Sequence, residues 1–214
     1  MTGPAPRRIW LCADDYGIAP GVNTAIRDLI ARGRLNATSV MVAAPSFSRA
    51  EANALSVLNA DTQRVAIGLH LTLTGPFRPL TPGYAPVSNG AFLPLATTLR
   101  LAMQQRIDMA ALTAEFRAQF EAFAVAFGRP PDFVDGHQHV HLFPQVRQAA
   151  LETTSRIAPQ AWMRQCGSTL PLHRRLTDPK GALVDWLSRE FRVRAKKLGI
   201  ATNPAFAEIG RAHV

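Results

Sequence analysis

The chain has 214 residues, 47% hydrophobic and 18% charged, which is ordinary globular material and enough for one domain with a real core. No apolar run reaches the roughly 18 residues a membrane helix needs, and Met1 to Arg8 lack the long apolar segment of a signal peptide. The formal charge of +9 raises nucleic acid or an anionic surface as partners, but no nucleic-acid-binding motif accompanies it.

Arg8 to Ala13 reads as a buried first strand that gives way to a loop at Asp14-Asp15-Tyr16-Gly17. Pro20 opens a helix, where its fixed φ and missing N–H do no harm. Val22, Ala25, Ile26, Leu29 and Ile30 supply helical spacing, and Gly33 a stop. Ala37 to Ala43 is a second strand, Phe47 to Leu58 a second helix, and Arg64 to Leu73 a third strand carrying Gly68-Leu69-His70-Leu71-Thr72. The Pro/Gly-rich stretch Thr74 to Pro94 is long for a connection, and such loops are usually functional or disordered. Leu112, Phe116, Phe120, Phe123 and Phe127 form one apolar stripe on a helix from Asp108 to Phe127, more naturally core than a cofactor box. Pro131 to Val134 reads as a strand, Pro144 to Ile157 as a helix, Ala161 to Gln165 as a short strand, and Pro179 to Leu198 as a helix capped by Gly199. Much of the excess charge falls late, on Arg174, Arg175, Lys180, Arg189, Arg192, Arg194, Lys196 and Lys197. Several of these share the last helix with Leu183, Trp186, Leu187 and Phe191, so a solvated face opposite an apolar one is expected. Strands alternating with helices imply parallel βα units, and no repeat or second domain is visible. Cys12 and Cys166 stand alone, which points to reduced core thiols in the cytoplasm.

Three stretches carry chemistry. Asp135-Gly136-His137-Gln138-His139-Val140-His141 puts three of the chain's six histidines within five residues. On an extended backbone these alternate side chains would share a face. Neutral imidazole is the commonest transition-metal ligand. One direct ligand is expected here, with the other histidines behind it. Asp14 and Asp15 are adjacent carboxylates at a strand end, where α/β folds place active sites; one metal ligand and one general base fit them, as does a charge pair at a helix N-terminus. His70 alone would be a satisfied core histidine. With Asp15 and His137 it makes a two-histidine, one-carboxylate set with open positions for water and substrate.

Ala13–Gly17, Gly68–Thr74 and Asp135–Pro144 together resemble the YdjC-like carbohydrate deacetylases (the ChbG/HpnK family), in order and spacing, from about Arg8 to about Phe206. The resemblance implies an α/β fold of TIM-like type, an irregular and partly open (β/α) barrel. It also implies one divalent metal ion, Mg2+ or Zn2+, and hydrolysis of an N-acetyl group on an amino sugar or acetylated oligosaccharide. Carried over by position, Asp15, His70 and His137 are the metal ligands and Asp14 the catalytic base. Asp135 orients a histidine, and His139 and His141 line or brace the site. The Thr74 to Pro94 loop and the region from Trp162 to His173 are expected to shape the pocket. The partner expected is a small acetylated saccharide, with no nucleic acid and no membrane span, and a homodimer is one open assembly state.

Relatives continue past the end of this chain and carry a late His-Pro-Gly motif suited to a general acid; this sequence has none. Residues 1–207 are therefore read as one deacetylase-like domain, incomplete at its C-terminus. Glu208 to Val214 are read as a non-native tail, because one back-translation resembles a sequencing adapter. A chain so shortened is expected to be unstable and a weak deacetylase. Two other readings stay open: another barrel-type metal hydrolase, such as an amidohydrolase or phosphoesterase, and a non-catalytic basic binding module.

Overall fold

A computed structural model describes residues 9–60, 62, 65–168 and 178–207. The expected tail at 208–214, Arg174, Arg175, and the stretch 169–173 of the expected pocket wall lie outside the described residues. Five strands form one parallel sheet in sequential order: β1 (Cys12–Tyr16), β2 (Ala37–Val40), β3 (Ala66–Leu71), β6 (Phe133–Gly136) and β7 (Trp162–Met163). Helices α1 (Pro20–Ala31), α2 (Arg49–Ser56), α4 (Met109–Phe127), α5 (Val146–Ile157) and α6 (Pro179–Lys197) connect or follow these strands. Each crossover returns to the neighbouring strand, so the order never reverses and every strand has its carboxyl end on one side. No described helix is long and apolar enough to cross a membrane.

Alternation divides the sheet into two faces. Val40, Ile67, Leu69, Leu71, Val134 and Met163 join the helices in the main core. The other face carries a smaller cluster of Ala37, Ala66 and Phe133 with Cys12 and Trp162 packed on it. The residues one step further along these strands, toward their carboxyl ends, are polar and build the site described below. Helix α4 shows why the core forms. Asp108 caps its N-terminus by accepting from Ala110 and Ala111 N at 2.8 and 3.2 Å. Gly128 ends it at φ 68°. Of its expected stripe, Leu112, Phe116, Phe120 and Phe123 are buried and Phe127 is half-buried, and full burial of a side chain of that kind is worth roughly 1.5–3 kcal/mol.

Four expectations are corrected. The first strand runs through Asp14 and Asp15 instead of stopping at Ala13, while Ile9, Trp10 and Leu11 are exposed. The β1–β2 register shifts between Ala13 and Tyr16, and Asp15 sits at φ 65°, so a bulge lets two consecutive carboxylates reach the same side. In α1 the buried positions are Asn23, Ile26 and Ile30, leaving Val22 and Leu29 outside. On α6, Leu187, Ser188, Phe191 and Ala195 face the core, and Leu183 and Trp186 are exposed. The stretch from Thr74 to Pro94 is ordered: it contains the hairpin β4 (Val87–Ser88) and β5 (Ala91–Phe92), turned at Asn89-Gly90, and is followed by an unforeseen helix α3 (Leu95–Met103). Buried Glu115 of α4 fastens it by accepting from Leu80 and Thr81 N at 3.1 and 2.8 Å.

Candidate metal centre

Sheet register assembles the site. His70 is directly opposite Asp135, and Leu71 opposite Gly136. Val134 is opposite Met163, which sets Arg164 beside Asp135. Ala13 is opposite Thr38, which sets Asp14 near Ser39. Side chains from five strands or strand ends therefore meet in one row: Asp14, Ser39, His70, Asp135 and Arg164. The glycine of the Asp-Asp-Tyr-Gly motif closes the first strand end. Gly17 has φ 106°, and a Cβ there would lie 2.9 Å from Met41 O, so both backbone angle and space require glycine. Its N–H donates to buried Asn23 Oδ1 at 2.6 Å, tying the loop to α1. Tyr16 is fully buried and donates to Glu51 Oε2 at 2.7 Å, joined by Arg27.

The three expected ligands come together. Asp15 Oδ1 lies 3.2 Å from His70 Nε2 and 2.9 Å from His137 Nδ1, and all three ligand atoms lie within 4.8 Å of one another. His70 is buried, whereas Asp15 is 37% and His137 14% exposed, so the cluster opens toward solvent. Phe77, from the stretch after β3, packs edge-on against His137 with centroids 5.5 Å apart.

The histidine run is not an extended strand. The strand stops at Gly136, and residues 137–142 form a tight helical turn interrupted at Gln138 and His139, with φ 53° and 60°. The three imidazoles therefore diverge. His137 faces Asp15. His139 Nδ1 is 3.4 Å from Cys166 Sγ, and its ring meets Phe206 edge-on. His141 is fully buried, bonded through Nε2 to Arg164 O at 2.7 Å and edge-on to Phe191. Burial holds His141 down to about 3, so it is neutral, with Nε2 carrying the proton it donates. One histidine of the three enters the cluster and two stand behind it.

Asp135 is fully buried and takes His70 Nδ1 at 2.6 Å. Arg164 and Ser39 are the residues the sequence reading passed over. Arg164 donates to Asp14 Oδ1 at 2.7 Å and pairs with Asp135. Ser39 donates to Asp14 Oδ1 at 3.0 Å and lies 3.1 Å from His70 Nδ1. A lone arginine ending the apolar Ala161-Trp162-Met163 run was the available signal, since a charge on a short buried apolar run needs a partner. Asp14 is a third exposed, at the rim between Arg164 and Asp15.

The donor set suits a cation. With Nδ1–H committed to Asp135, His70 turns the lone pair of Nε2 toward the Asp15 carboxylate. Two acceptors 3.2 Å apart repel unless a proton or a metal ion lies between them. Burial alone would pull His70 down, but the charge and hydrogen bond of Asp135, then Asp15 and Asp14, lift it to about 10. Asp15 sits well below the usual carboxylate range: burial pushes it up, and the two imidazoles more than offset that. A divalent ion would meet the same electrostatic need with both histidines neutral, and Asp and His donors suit several such ions.

Fold and cluster together define a parallel α/β protein with an Asp–His–His metal-type pocket at the carboxyl ends of its strands. The chain belongs to the YdjC-like family: the model of that family, described as YdjC-like protein, matches residues 8–213. It is similar to the chitooligosaccharide deacetylases of Proteus mirabilis (strain HI4320) and Yersinia pestis (strain Pestoides F). Each is 33% identical over 135 residues, 63% of this chain and 50% of the relative. The chain thus spans about half the length of the curated relatives it matches. In structure it is similar to a protein of Enterococcus faecalis V583 described as a candidate for cellobiose-phosphate cleavage. The TM-score is 0.61 at 18% identity, over 90% of this chain and 95% of that one, a likeness of fold alone.

Proposed function

We propose that the chain is a metal-dependent hydrolase that removes N-acetyl groups from an amino sugar or acetylated oligosaccharide. What carries the reading is the convergence of Asp15, His70 and His137 ligand atoms within 4.8 Å at three strand ends. The family match and the deacetylases among the relatives support the reaction class. In this reading Asp15, His70 and His137 hold one divalent ion, Mg2+ or Zn2+, and the sheet is the open part of a (β/α) barrel. Bound there, such an ion supplies Lewis acidity for a water and for the acetamide carbonyl. Asp14, on the exposed rim beside Asp15, takes the water's proton. Asp135 holds His70 in the tautomer that offers Nε2 to the ion. His139 and His141 brace the wall behind His137. A cytoplasmic setting fits the two cysteines, which form no disulfide with each other.

Metal analysis and acetate release test this together. One divalent ion per chain is expected, lost in His137→Ala, and acetate release from an N-acetylated sugar panel is expected to vanish in Asp14→Asn while the ion stays bound. A chain that takes up no divalent ion, or whose ion binding survives loss of both His70 and His137, refutes the proposal.

A further inference from the structure

The Asp15–His70–His137 group has a second group at its back. Asp14, His70 and Asp135 also bring one ligand atom each within 4.8 Å of one another. By donor chemistry alone this could be a second metal position. Two carboxylates and an imidazole so placed, two of the three residues buried, need positive charge among them. In the structure that charge is Arg164. Its Nη2 donates to Asp14 Oδ1 at 2.7 Å and also pairs with Asp135 Oδ2.

The arginine is built in. Its side chain is 8% exposed. Its backbone N–H donates to Val134 O at 3.0 Å, and its carbonyl accepts from buried His141 Nε2 at 2.7 Å. Its guanidinium carbon lies 5.6 Å from the centre of the Phe206 ring. A guanidinium is charged at every accessible pH, and here one of its nitrogens, Nη2, serves two carboxylates from different strands.

We infer that Arg164 is a positioning residue serving as the fixed second cation of this site: it fills the Asp14–His70–Asp135 group in place of a second metal ion. Through Asp135 it keeps His70 aimed at the first ion position, and through its other contact it keeps Asp14 at the rim. His141 acts one step further back by holding the Arg164 carbonyl. The inference rests on the metal reading above and extends it to how many ions the site accepts.

Cobalt titration of the 214-residue chain tests it, with ions per chain counted by equilibrium dialysis and the ligand field read from visible absorption. The wild-type chain is expected to take one ion. Arg164→Met, similar in length but uncharged, is expected to bind that ion more weakly and to take a second. Arg164→Lys is expected to take one ion, about 10- to 100-fold more weakly, the range for residues that hold a ligand from behind. Circular dichroism establishes that each variant folds. A folded Arg164→Met that binds one ion with wild-type affinity overturns the inference. Should the methionine variant fail to fold, Arg164→Lys decides, and wild-type affinity in it overturns the inference equally. A wild-type chain that binds no cobalt instead overturns the metal reading itself, so the two failures are distinct.

Discussion

Replacing Asp135 with asparagine removes one charge and almost no volume, and the structure predicts a large effect. Asp135 is fully buried, with one oxygen on His70 Nδ1 and the other on Arg164. Both partners are donors. An asparagine side chain has one acceptor oxygen, so if it serves His70 its NH2 group faces the guanidinium, and if it serves Arg164 its NH2 group faces the imidazole N–H. Breaking a buried pair in this way costs about 3–5 kcal/mol, because the surviving charge is left uncompensated. For a chain of this size each kcal/mol moves the melting point roughly 2–4 °C, so a fall of about 6–20 °C is expected. Affinity for a divalent ion should fall about 10- to 100-fold, since His70 loses the contact that fixes its tautomer. Thermal unfolding by circular dichroism and isothermal titration with Zn2+ measure the two effects. The control is Asp28→Asn, whose i,i+4 pair with Arg32 is solvent-exposed; a pair of that kind is worth about 0.3–0.5 kcal/mol. If Asp135→Asn melts no lower than Asp28→Asn, Asp135 does not hold the site together.

The metal-free chain should be most stable near pH 6.5: burial holds His141 at about 3, so its contribution is full above the ordinary 6.5 and is lost as pH falls toward 3. Burial pushes Asp135 up, but Arg164 and then His70 hold it at about 2, so its contribution is full above the ordinary 3.8 and is lost as pH falls toward 2. His70 is lifted to about 10, so its contribution is full below 6.5 and is lost as pH rises toward 10. A saturating divalent ion, which needs His70 neutral, should flatten that alkaline decline; urea midpoints across the range measure it, and an alkaline limb indifferent to the ion contradicts the assignment. Gly136→Ala should destabilise by about 1–3 kcal/mol, because the new Cβ would meet His141 Nδ1 at 2.8 Å and His141 N and Cβ at 3.1 Å. An unchanged melting point would show that the turn after β6 can yield. Gly68→Ala should cost a similar amount, since its Cβ would lie 2.5 Å from the buried Phe133 ring; Gly68→Ala with Phe133→Leu should recover part of that loss, and full additivity of the two changes would refute the clash.

Local pattern made the frame of this protein readable, and register decided its centre. The α4 stripe from Leu112 to Phe123 and the capping by Asp108 and Gly128 are short-range facts, present in the letters themselves. So is the clustering of aspartates and histidines into three stretches. What those stretches do to one another depends on which residues lie opposite across parallel strands, and parallel pairing joins segments far apart in sequence. His70 meets Asp135 because β3 and β6 pair in that register; a slip of β6 by one residue would turn Asp135 to the helix-covered face and away from His70. Arg164 went unread for the same reason, since its partners lie 29 and 150 residues away. The histidine run failed differently. Spacing of two implies a shared face only while the backbone stays extended, and left-handed angles at Gln138 and His139 break that premise two residues after the strand ends. The break is what lets one short segment do three things: His137 reaches Asp15, His139 reaches Cys166, and His141 turns inward to hold the strand that carries Arg164. A straight strand would have delivered three imidazoles to one side and left the arginine without that backbone latch.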